Sequence, residues 1–259
     1  MKKGTMAAGE VRISYLQEGR GKPLLLLHSM GVSGRAWREV MKPLGQSFAV
    51  YAWDMPGHGD SEKPPRWYTI SDYARRAVDF LEALGIKRAA VVGNSIGASI
   101  AAEMAAAWPR KVERLVLVGC PAWETVEERL QRLVLAGAFL TPEGNPKPYT
   151  LKDLGRNWAH PTPQILRWVN RERAKAGLWV MKGMMAVNAY EIPKRLGRIS
   201  CPTLIVYGSQ DMLRDKEGVL RRGIRSSNAV VIPGAGHLPQ IEAPQAFLQA
   251  TLPFLTQGR

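Results

Sequence analysis

Two hydrophobic rhythms alternate along this chain. Short apolar runs occupy positions 24–27, 48–53, 89–92, 115–118, 203–207 and 229–232. Runs of that length, without polar alternation, predict strands buried on both faces. Elsewhere apolar residues recur at helical spacing. Ala77, Val78, Leu81 and Leu84 do so, with Ser71 as the starting cap and Gly85 as the stop. This alternation predicts an α/β fold, a mostly parallel sheet of about eight strands with helices on both faces. An early strand at 11–17 pairs as a hairpin with the segment before Ala8-Gly9-Glu10. A last helix starts near Pro244 and reaches Leu255, with Pro253 interrupting it.

The strand–helix rhythm stops between Pro121 and Ser200. This stretch carries Trp123, Trp158, Trp168 and Trp179, the methionines Met181, Met184 and Met185, and several prolines. Its periodicity is helical. Residues 1–120 and 200–259 therefore predict a core, and 121–199 a helical cap inserted between two strands. Its apolar side chains exceed what a solvated loop carries, so one face must be buried. An insertion that leaves and returns at the C-terminal edge of an open α/β sheet covers the place where ligands bind.

Composition narrows the classes. The chain has 259 residues, 46% of them hydrophobic and 22% charged, as in a soluble globular protein. The net charge of +14 invites a nucleic-acid partner. The basic residues are scattered, however; Arg221-Arg222 and Arg171-Glu172-Arg173 come nearest to clusters, and no nucleic-acid motif accompanies them. No nucleic-acid partner is expected. No apolar run reaches the ~18 residues of a membrane span. Met1-Lys2-Lys3 is followed by no apolar signal segment, so a cytoplasmic protein is expected. Cys120 and Cys201 read as small buried hydrophobes, with no metal or disulfide framework implied.

The chemistry begins at Gly93-Asn94-Ser95-Ile96-Gly97, between the run ending at Val92 and a small-residue helical run. A strand that turns sharply into a helix strains its middle residue and lifts that side chain above the sheet edge. Glycines on either side remove the collisions such a turn creates. Ser95 is the candidate nucleophile. The Ile96 amide, at a helix N-terminus, is a candidate oxyanion donor. Three further segments follow predicted strands. His28-Ser29-Met30-Gly31 offers the Met30 amide as a second donor. Tyr207-Gly208-Ser209-Gln210-Asp211 supplies an acid, and Pro233-Gly234-Ala235-Gly236-His237 an imidazole. Glu124, after the 115–118 strand, is the rival acid.

With these four segments in register, the chain resembles the α/β-hydrolase superfamily, in the branch with a helical cap after the sixth strand. Asp54-Met55-Pro56-Gly57-His58-Gly59-Asp60-Ser61 is similar to that branch's D-x-x-G-x-G-x-S segment. The resemblance covers nearly the whole chain. It implies a cofactor-free serine hydrolase acting on small to medium carboxylic esters through Ser95, His237 and Asp211, with oxyanion donors Met30 and Ile96. Enol-lactone hydrolysis, carbon–carbon bond hydrolysis and a receptor-like binding role are the alternatives. The partner implied is a small ester or lactone, and the chain is expected to act as a monomer or homodimer. Ser29, Trp158, Trp179 and Leu238 are the pocket candidates, with His160 a further one. His28, Asp54 and His58 read as loop braces, and Asp72 and Asp215 as helix-start acids. An apolar ceiling would disfavour charged acyl tails, unless a basic residue such as Arg167 or Arg171 points inward.

Overall fold

The computed structural model describes residues 1–257. Its sheet has eight strands in the order β1-β2-β4-β3-β5-β6-β7-β8. They are β1 (Lys2–Ala8), β2 (Val11–Glu18), β3 (Lys22–Leu27), β4 (Phe48–Trp53), β5 (Ala89–Asn94), β6 (Val112–Val118), β7 (Thr203–Gly208) and β8 (Ser227–Ile232). β1 and β2 form the expected hairpin, β2 runs antiparallel to β4, and every later pairing is parallel. Each apolar run lies inside a strand, and several strands extend past the apolar stretch; the run at 229–232 falls on the edge strand β8, where only Ile232 is buried, because one side of that strand has no neighbouring strand among the described residues. β6 starts at Val112, which pairs with Ala89, and Glu113 and Arg114 follow at an irregularity where the register shifts before Leu115 pairs with Val91.

β3 shows why unbroken apolar runs mean a central strand. Leu24 to Leu27 are all fully buried. Leu25 and Leu27 join the core on one face of the sheet, Leu24 and Leu26 the core on the other. Side chains alternate along a strand, so a strand covered on both sides needs apolar residues at every position.

Before β6 the helices are α1 (Arg38–Leu44), α2 (Ile70–Ala83) and α3 (Ile96–Ala107). α2 buries Ile70, Tyr73, Ala74, Ala77, Val78, Phe80 and Leu81 along one face. Its cap is Thr69 rather than Ser71. The Thr69 side chain accepts from the Asp72 amide and Asp72 reaches back to the Thr69 amide, a reciprocal capping box. Ser71 lies two residues too far along, inside the first turn, and donates instead to Glu103 at 2.9 Å.

Between β6 and β7 lie α4 (Val126–Gly137), α5 (Leu151–Leu154), α6 (Pro163–Ala176), α7 (Leu178–Ala189) and α8 (Pro193–Leu196). After β7 come α9 (Glu217–Gly223), α10 (Pro239–Glu242) and α11 (Pro244–Thr256). Pro253 sits inside α11 and does not end it. The carbonyl it leaves without a partner belongs to the exposed Gln249, where water can serve it. No helix among the described residues is long and apolar enough to cross a membrane.

Candidate active site

Ser95 stands between β5 and α3 with φ 58° and ψ −119°. Among the described residues it is the non-glycine position with positive φ. That strain persists because both neighbours are locked. A Cβ on Gly93 would lie 2.1 Å from the Gly97 carbonyl oxygen, and one on Gly97 would lie 2.2 Å from the Leu27 carbonyl oxygen. Behind the turn α3 is buried along nearly its whole length, which its run of alanines allows.

The second loop follows β3. His28 is fully buried and holds two loops together. Its Nδ1–H donates to the Ser29 carbonyl at 2.7 Å, and its Nε2 accepts from the Met55 amide at 2.8 Å. Burial pulls its pKa down to about 4, so the ring stays neutral in this role. Asp54 braces the same region, accepting from the Gly34 and Asp60 amides at 2.8 Å each. His58 lies 5.8 Å from His28, ring to ring, and burial pulls it down to about 3. The amides of Met30 and Ile96 donate to no protein acceptor among the described residues.

The acid and the imidazole arrive on adjacent loops. The Ser209 amide donates to Ile232 and the Gln210 amide to Ala235, both at 2.9 Å, which joins the loop after β7 to the one after β8. His237 Nδ1 lies 3.1 Å from both Asp211 oxygens, and Asp211 Oδ1 also accepts from the Leu213 amide. Burial alone would pull the imidazole's pKa down. The Asp211 charge and hydrogen bond, with Glu242 adding to them, outweigh burial and leave it above the ordinary value. Glu124 is exposed and pairs with Arg222 at 3.1 Å, away from His237. Asp72 and Asp215 sit in the first turns expected of them.

Ser95, Ile96, Met30 and His237 all line one cavity of about 260 Å³. Ser95 Oγ makes no hydrogen bond to His237 in this conformation, and such contacts are commonly loose before substrate binds. Apolar wall comes from Leu135, Phe139, Leu140, Val180, Met184 and Val187, all between β6 and β7. A side cavity of about 60 Å³ shares Met30 and His237 with it and is lined by Ser29, Trp158 and Leu238. Trp179 lines neither cavity. It packs over Gly57, where a Cβ would meet its ring at 2.5 Å, and edge-on to Tyr68. His160 is exposed and lies outside both cavities, in a bend whose Ala159 and His160 amides donate to Glu242. Arg167 and Arg171 are exposed, and the arginine that turns inward from α6 is Arg173.

Sequence reasoning missed three supports. Asn94 Nδ2 donates to the His237 carbonyl at 3.0 Å and to the Val118 carbonyl at 3.2 Å, while its Oδ1 accepts from Gln240. The Asn157 carbonyl accepts from the His237 amide at 2.7 Å. Gly119 has φ +53°, and a Cβ there would lie 2.8 Å from Asp211 Oδ2 and from His237 Nδ1 and Cε1. Its signal was a glycine directly after the apolar run at 115–118. Gly119→Ala should force the acid and imidazole apart and lower kcat/KM by about 10²-fold, the cost of a misplacement near 1 Å. Steady-state kinetics with an activated ester check this, and an unchanged kcat/KM would show that the pair has room to yield.

Among the described residues no cluster of His, Cys, Asp or Glu is gathered to hold a metal ion, and Cys120 and Cys201 are unpaired and buried. The chain is 28% identical to the 2-hydroxy-6-oxo-6-(2'-aminophenyl)hexa-2,4-dienoic acid hydrolase of Metapseudomonas resinovorans, over 96% of this chain and 89% of that one. It is 27% identical to the pimeloyl-[acyl-carrier protein] methyl ester esterase of Pectobacterium carotovorum, over 92% of this chain and 96% of that one. A bacterial membrane phospholipase A has a similar solved structure, with a TM-score of 0.86 and 26% identity over 98% of this chain and 85% of that one. The sequence model of the alpha/beta hydrolase family matches residues 24–250. With that match spanning β3 to α11, the chain belongs to the alpha/beta hydrolase family.

Proposed function

We propose that the protein is a cofactor-free serine hydrolase that cleaves carboxylic esters through an acyl-enzyme. One observation carries the reading: a strained serine, a carboxylate-held imidazole and two free amides border a single cavity. His237 takes the Ser95 proton as the oxygen attacks the ester carbonyl. Asp211 holds the imidazole with its Nε2 free and stabilises the imidazolium. The Met30 and Ile96 amides bind the oxyanion, each worth roughly 3–4 kcal/mol in comparable sites. His237 then gives the proton to the leaving alcohol, and water releases the acid by the same steps in reverse.

The segment 121–199 acts as a cap that selects substrate. Its apolar lining supports acyl groups of several carbons, each buried methylene contributing about 0.8 kcal/mol while there is room. The resemblance to a methyl ester esterase supports the ester reading, and the resemblance to a dienoic acid hydrolase favours carbon–carbon cleavage as the second reading. The unpaired cysteines are in keeping with a cytoplasmic setting. Turnover of p-nitrophenyl acetate, butyrate and hexanoate, beside an enol-lactone and an oxo-dienoate, tests the proposal. Rising kcat/KM from acetate to hexanoate is the expected result. Turnover of the dienoate alone would transfer the assignment to the second reading.

A further inference from the structure

The active-site cavity holds a buried cation without a counter-ion. Arg173 on α6 is 6% exposed and lines both the main and the side cavity. Its Nη1 donates to Tyr149 Oη at 3.0 Å and its Nη2 to the Lys147 carbonyl at 3.5 Å. The guanidinium carbon lies 3.8 Å from the centre of the Tyr149 ring. Nε, equally buried, has no partner. Burial depresses the pKa of the guanidinium, and no carboxylate opposes that. Glu172, next along the helix, pairs with Arg171. Asp153, on the wall of the main cavity, is engaged in capping α5 through Thr150. Arg132 and Arg156 line the same cavity and add to its positive charge.

A buried charge without its partner is costly, and a well-packed apolar residue would serve stability better. The side cavity beside Arg173 offers what an anion would need. Ser29, Asn157 and Arg173 all line it, and Asn157 Oδ1, like Arg173 Nε, is buried without a partner. An amide oxygen and nitrogen are interchangeable in outline, so Asn157 turned over presents N–H there instead. Val32, Trp158, Val169 and Leu238 wall the space and lower the local dielectric. About 60 Å³ suits a group with two oxygens, and the guanidinium has only its Nε edge wholly uncommitted. That matches a carboxylate and falls short of the donors a phosphate dianion calls for.

We propose that this side cavity is a carboxylate subsite, and that the substrate is an ester or lactone bearing a free carboxylate a few atoms from its scissile carbonyl. Met30 and His237 border both cavities, so the anion sits beside the reacting centre. The proposal rests on the serine-hydrolase reading, and it reverses the expectation that charged acyl tails are disfavoured.

The test compares kcat/KM for monomethyl succinate and monomethyl glutarate with methyl pentanoate and methyl hexanoate. The parent should prefer the half-esters, and Arg173→Met should lower the anionic-to-neutral ratio by about 100-fold, the scale of a hydrogen bond to a charged group. A ratio is insensitive to the fraction of folded enzyme. Arg171→Met, at an exposed position, should leave the ratio unchanged. Free glutarate should inhibit the parent competitively and lose that inhibition in Arg173→Met. A parent that prefers neutral esters, or an Arg173→Met ratio equal to the parent's, overturns the subsite. Labelling of Ser95 by a fluorophosphonate in the same preparations separates the two ideas. A labelled parent that prefers neutral esters overturns the subsite alone, whereas a parent neither labelled nor active overturns the hydrolase reading and the subsite with it.

Discussion

Ser95→Ala is expected to lower kcat for p-nitrophenyl butyrate by roughly 10⁶, the loss seen when the nucleophile of a comparable triad is removed. What remains comes from the Met30 and Ile96 amides and from binding, which still stabilise attack by water. The same variant should take up no fluorophosphonate, as intact-protein mass will show. Backbone strain gives a second, independent readout. Ser95 is held at φ 58°, where a Cβ is unfavourable and glycine is not. Ser95→Gly should therefore be as inactive as Ser95→Ala and more stable than it, by about 1 kcal/mol in denaturant titration. Equal stability of the two would mean that the turn relaxes when the hydroxyl is gone. Substantial activity in either variant would remove Ser95 from the mechanism.

The legible parts of this chain are those where the physics is local. A central strand needs an unbroken apolar run, as β3, β4 and β7 have, and the sequence displays it directly. A strand-to-helix elbow needs glycines two residues either side of its apex, and Gly93 and Gly97 stand there. That Asp211 and His237 come together was legible because each follows such a run on a short glycine-containing loop. The misreadings have other causes. Ser71 and Thr69 both have capping chemistry, and the reciprocal pair that Thr69 makes with Asp72, three residues on, decides which begins the helix. Trp179 is as apolar as a pocket wall requires, yet faces Gly57, because nothing in periodicity says which neighbour lies beneath a face.

Arg173 is the instructive miss. It follows Val169 by four positions and precedes Ala176 by three, so all three share one stripe of α6, and all three are buried. Two apolar residues at that spacing mark the inward face. An arginine on the same stripe is a conflict between local pattern and residue type, and such conflicts concentrate at functional sites. Weighing Arg167 and Arg171 by charge alone overlooked the residue whose position, rather than whose type, was unusual. Asn94 and Asn157 are different. Their partners are distant in sequence: Asn94 reaches His237, 143 residues away. No spacing within one segment encodes such contacts.

Asp211→Asn is expected to lower kcat/KM by about 10⁴-fold, while Glu124→Gln leaves it near the parent value. The geometry behind the contrast is direct. Asp211 is buried and meets His237 Nδ1 at 3.1 Å with both oxygens, whereas Glu124 is exposed and paired with Arg222. An asparagine can present its NH₂ to Nδ1, which favours the tautomer with the proton on Nε2, where it cannot accept from Ser95. The pH profile adds a readout that a merely structural role would not move. As general base, His237 must be neutral, so activity falls on the acid side as the imidazole gains a proton. In the parent its pKa lies above the ordinary value of 6.5: burial lowers it, but the Asp211 charge and hydrogen bond raise it more. Removing that charge leaves burial opposed mainly by Glu242, so the acid limb of kcat/KM should move to lower pH in Asp211→Asn. The variant thus loses most of its rate yet keeps its residual activity at a pH where the parent has begun to lose its own. An acid limb that stays in place, or a Glu124→Gln variant that shows both effects, would assign the role of the acid elsewhere.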